Sequence, residues 1–133
     1  MLTLTPFSAR IHWRFQGALA EAPWPELACA FIDAVASEVT SHHAVIGHIK
    51  GIACCGAHTL RVNCVSARLP ADLQGDLPPG TPEMLLELAV LAYGLPWSIA
   101  NSSVELAMEE AGKAYNCHGQ MQPSPNTHSH NHQ

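Results

Sequence analysis

Nine histidines and five cysteines in 133 residues are the side chains best equipped for chemistry, and most of them fall in three groups. These are Cys54, Cys55 and His58; Cys117 and His118; and His128, His130 and His132. Imidazole and thiolate suit Ni, Zn, Co and Cu, and a closed tetrahedral site takes about four such ligands. The chain has no CxxC pair, and the adjacent Cys54 and Cys55 point to opposite faces of any regular strand. One of them with His58 completes a metal site only if the fold carries Cys117 and His118 to the same place. Thr127–His132 alternates histidine with small polar residues, so three imidazoles can gather on a flexible chain and hold Ni, Zn, Co or Cu weakly. Compositional drift produces the same pattern. Cys29 and Cys64 read as small core residues, and His42 with His43 follows a helix, where a cation suits the dipole.

A second constellation is basic. Ser8–Phe15 alternates strictly, with Ala9, Ile11, Trp13 and Phe15 on one side and Arg10, His12 and Arg14 on the other. In His58–Ser66, Leu60, Val62 and Cys64 alternate with Thr59, Arg61 and Asn63. For Ala44–Cys54 the phase chosen buries Val45, Gly47, Ile49, Gly51 and Ala53 and exposes Ile46, His48, Lys50 and Ile52. One sheet face then collects Arg10, His12, Arg14, His48, Lys50 and Arg61 with no carboxylate. The acids, among them Glu83 and Glu87, are expected on helices and loops. Such a face suits an anionic small molecule or an acidic protein partner. Exposed strands also carry charge simply to resist aggregation, and a copy of the chain packed on the face would use the same residues. His12 and His48 are the pair that an enzyme working on this face would use. Gly47-His48-Ile49-Lys50-Gly51 is not a phosphate loop: no helix follows it, and no Ser or Thr follows the lysine.

The elements that position these groups are read from periodicity. Ser8–Phe15 is a half-buried strand. Pro23–His42 is a helix with Trp24, Leu27, Ala28, Phe31, Val35 and Val39 on one face and two prolines at its first turn. Ala44–Cys54 and His58–Ser66 form a hairpin about Cys55-Gly56-Ala57. Residues 68–82 carry four prolines and two glycines and read as a loop that hides a short edge strand or covers a site. Pro82–Tyr93, rich in Leu, Ala and Glu and followed by Gly94 and Pro96, is expected as a helix. Ser102 and Glu105 have capping-box spacing and open a last helix to about Tyr115. The expectation is an α+β fold: a three-stranded antiparallel sheet in the order β-α-β-β-α-α, with helices packed on one face. A single domain spans 1–115, and a polar, histidine-bearing tail spans 116–133.

Composition limits the function. A net charge of −5 argues against nucleic acid, although protonation of the histidines would reverse its sign in mild acid. No segment has the length and apolarity of a membrane span. Met1–Arg10 lacks a basic stretch followed by an apolar run, so a cytoplasmic protein with reduced thiols is expected. Only 13% of residues are charged, which points to a surface partly covered by a partner or by another copy in a homo-oligomer. There is no GxSxG elbow and no HExxH, and the motifs identify no family. Three classes stay open: a small cytoplasmic binding or accessory protein with an anion-taking face and a metal-holding tail, a small enzyme, and a structural oligomeric module.

Overall fold

The computed structural model describes residues 3–123. The elements in chain order are β1 (Leu4–Phe15), α1 (Trp24–Ser41), β2 (Val45–Cys55), β3 (His58–Cys64), β4 (Asp72–Gly75), β5 (Glu83–Tyr93), α2 (Trp97–Tyr115) and β6 (Cys117–Pro123). All six strands join one antiparallel sheet in the order β4-β3-β2-β5-β1-β6. The class is α+β, as expected, but the three-stranded sheet is corrected to six strands.

The largest correction is Glu83–Tyr93. It is not a helix but a central strand, paired with β1 from Leu4↔Tyr93 to Arg14↔Glu83 and with β2 on its other side. Leu, Ala and Glu favour helix only weakly, and pairing with two long strands outweighs that preference. Met84, Leu86, Leu88, Val90 and Ala92 are buried at period two. Cys117–Pro123, expected as the start of the tail, forms edge strand β6 against β1. Residues 68–82 do hide a short edge strand, β4, paired with β3. Asp33 fixes its approach by accepting a hydrogen bond from the Ala71 amide at 2.9 Å.

Both helices cover one face. Trp13 of β1 meets Phe31 of α1 edge-on at 5.5 Å, and the core runs through Ile11, Leu27, Ile32, Ile49, Leu60 and Leu86. Pro25 lies in the first turn of α1, where its missing donor is not needed. The Trp24 indole donates to the Thr81 carbonyl at 2.8 Å, tying the loop before β5 to that helix. The last helix starts at Trp97 rather than Ser102, whose hydroxyl bonds back to the Ser98 carbonyl inside the helix. Asn116, left-handed at φ 57°, ends it and turns the chain into β6. Gly112 permits that return, because a Cβ there would stand 2.6 Å from the Cys117 carbonyl oxygen.

The β2–β3 turn is as expected: Cys55 pairs with His58, and Gly56 supplies the positive φ that a two-residue hairpin needs. The phase of β2 is correct from His48 onward, with Ile49, Gly51 and Ala53 buried. A bulge at Gly47 reverses it before that point. Ile46 therefore packs on the core and Val45 is exposed, the opposite of the expected assignment.

Candidate functional site

Residues paired directly across antiparallel strands share a face, so the register maps the face that the helices leave uncovered. One row crosses the whole sheet: Gln74, Arg61, Ile52, Glu87, Arg10 and Gln122. Beside it lie Asp72, Asn63, Lys50, Ala89 and Ser8. His12 pairs with Leu85 and Gln120, and Arg14 with Glu83 and His118. At the other end His48, Leu91 and Pro6 form a row, followed by Val45, Tyr93 and Leu4.

Arg10, His12, Arg14, His48, Lys50 and Arg61 thus share one face, but the expected absence of carboxylates is corrected. As a strand, β5 turns Glu83 and Glu87 into the middle of it. Arg10 Nε donates to Glu87 Oε1 at 2.8 Å. His12 Nε2 lies 3.1 Å from Glu83 Oε2, within ion-pair range but out of line for a hydrogen bond. His48 Nε2 meets Asn63 Oδ1 at 3.2 Å. Arg14, Lys50 and Arg61 are exposed and have no acid partner among the described residues. Four cations therefore face three carboxylates, counting Asp72, and the face is mixed rather than basic.

His12 and His48 do not meet. They pair with Leu85 and Leu91 of β5, six residues apart and so roughly 20 Å along the sheet. No shared proton-transfer site joins them. Grooves among the described residues lie elsewhere: one of about 660 Å3 between α2 and β6, lined by Met108, Gly112, Cys117 and Met121, and two shallower ones along the helices. None is lined by Arg10, Arg14, Lys50 or Arg61.

The cysteine and histidine groups are similarly apart. Cys54 and Cys55 do take opposite faces, Cys54 exposed beside Thr59 and Cys55 against the core. Cys54, Cys55 and His58 sit at the β2–β3 turn, whereas Cys117 and His118 open β6. The two ends are three strand spacings apart, roughly 14 Å across the sheet. Among the described residues no three His, Cys, Asp or Glu side chains converge to hold a metal ion. Cys117 points inward, and burial pushes its thiol up to about 11, so it stays protonated and donates to the Tyr115 carbonyl at 3.4 Å. Burial likewise raises Cys29 and Cys64, in keeping with core roles. His128, His130 and His132 lie outside the described residues.

Sequence reasoning missed the β5 members of the open face: Glu83, Leu85, Glu87, Leu91 and Tyr93. The available signal was the punctuation around the segment, with Pro82 before it and Gly94 and Pro96 after it, which bounds a central strand as well as a helix. No helix among the described residues is long and apolar enough to cross a membrane. No protein-family model, curated protein or solved structure matches the chain.

Proposed function

We propose that the protein is a small binding or accessory module that docks on a protein surface through the uncovered face of its sheet. The observation that carries this reading is the arrangement of that face. Its cations line none of the three grooves described above, two of its four Lys and Arg stand beside carboxylates by register, and apolar side chains lie among them. Small anions are held in concave sites with converging donors, whereas an open mixed surface suits a protein partner. Lys50 and Arg61, with Arg14 at the margin, leave the face complementary to carboxylates on that partner. An enzyme using His12 and His48 is disfavoured by their separation.

The test is affinity capture of the full chain from cells, compared with a variant carrying Leu85→Lys and Leu91→Lys. Leu106→Lys, on an exposed position of α2, serves as the control. Partners held by the wild type and the control should be lost from the double variant. Undiminished retention by the double variant would refute the docking reading.

A further inference from the structure

The open side of β5 does not have the composition of a solvated surface. An antiparallel strand with one wet face alternates apolar with polar residues, and an unbroken apolar run marks a strand covered on both sides. The β1 strand follows the first pattern through Arg10, His12 and Arg14. In β5, buried Met84, Leu86, Leu88, Val90 and Ala92 alternate with Glu83, Leu85, Glu87, Ala89, Leu91 and Tyr93. Four of those six outward positions are apolar or aromatic. Leu85, Leu91 and Tyr93 are 43%, 38% and 41% exposed, with Val45 and Leu4 beside Tyr93 equally uncovered. The strand at the centre of the sheet is thus built for a second layer, and the described residues supply only one.

Resting on the docking reading, we infer that the occupant is a second copy of this chain, packed sheet face to sheet face as a two-fold sandwich. Charge argues for a self-complementary partner. The face presents Arg10, Arg14, Lys50 and Arg61 against Asp72, Glu83 and Glu87. A surface carrying both signs can face its own copy, with Lys50 and Arg61 meeting carboxylates across the interface. Arg10 and Glu87 are already paired within the chain, so covering them strands no lone charge. Size agrees. Six strands at about 4.8 Å spacing, with short strands at both edges, give a footprint on the order of 700 Å2. Each partner of a standard stable interface contributes about 800 Å2. Layers packed in this way lie about 10 Å apart, with strands aligned to within about 30°.

The chain contains two lysines, Lys50 on the open face and Lys113 on α2, and this gives a test that needs no mutation. Native mass spectrometry and sedimentation of the full chain should give twice the 14.3 kDa mass at tens of micromolar. Acylation of Lys50 should slow severalfold relative to Lys113 as the protein is concentrated. The Leu85→Lys, Leu91→Lys variant should be a folded monomer, and Leu106→Lys should remain a dimer. A wild type that stays monomeric to hundreds of micromolar, a concentration-independent Lys50/Lys113 ratio, or a dimer that survives the double substitution would each overturn the second-copy inference. If the wild type is monomeric but loses captured partners on the same double substitution, docking stands and only the identity of the occupant falls. If neither mass nor partners change, both fall.

Discussion

The β1 and β5 strands lie side by side over eleven paired positions, share a core face, and differ on the other. On the helix side both are apolar over their middle stretch: Phe7, Ala9, Ile11 and Trp13 against Val90, Leu88, Leu86 and Met84. On the open side β1 offers Leu4 and Pro6 and then Ser8, Arg10, His12 and Arg14, whereas β5 offers Leu85, Ala89, Leu91 and Tyr93 along with two glutamates. A strand's inward face records the fold, and its outward face records what else the sheet touches. Two neighbours with the same inward demands can therefore differ in how plainly they read as strands.

The contrast is open to direct attack. The largest effect is expected on the shared side, where Leu88→Ala and Ile11→Ala should each cost about 2–5 kcal/mol in denaturant unfolding. A cost below 1 kcal/mol at either would mean that the two core faces are not equivalent. Next comes Gly112→Ala at the junction that delivers β6 to the free side of β1. The new Cβ would press on the Cys117 carbonyl, and the backbone shift it forces should cost about 1–3 kcal/mol. Gly51→Ala, whose neighbours are the movable methyls of Leu86 and Ile32, should cost less.

A pH titration probes the same junction. The Cys117 thiol is raised above its ordinary value of 9.0 to about 11 by burial, so the folded state holds its proton more tightly than the unfolded chain. Its contribution is fully present below pH 9 and should be lost as pH rises from about 9 toward 11. Cys117→Ser should flatten that part of the stability profile, and an unchanged slope would place the titrating group elsewhere. The smallest effect belongs to the Arg10–Glu87 ion pair between the open sides. Both side chains are more than a third exposed, so Glu87→Gln should cost the isolated chain no more than about 1 kcal/mol, and less in high salt.

Much of the fold was legible where one face meets water. In β1, in β3 and in β2 beyond its bulge, alternation assigned the faces, and α1 was found by its apolar stripe. The bulge at Gly47 was not legible, because either phase of residues 45–47 holds an apolar residue and only pairing to Leu91 and Ala92 decides between them. The run in β5 lacked alternation because both of its sides are apolar, and its Leu, Ala and Glu then imitated a helix. The polar β6 strand, with Gln120 and Gln122, has no strand preference of its own; β1 imposes the extended form on it. The candidate face was affected accordingly. Arg10, Lys50 and Arg61 could be placed from their own strands, but the glutamates that neutralise the face could not be placed while their strand was read as a helix.

The strand order also sets a timetable. Both neighbours of β1 come late in the chain: Arg10 waits 77 residues for Glu87, and the β6 strand that closes its other side follows α2. A nascent chain can assemble the β2–β3 hairpin and α1 from nearby contacts, but its first strand has no partner until most of the sequence exists. Loop closure over such distances makes folding slow. During that interval Ile11 and Trp13, fully buried in the finished sheet, have no strand beside them, and an unpaired strand bearing apolar side chains is prone to aggregate.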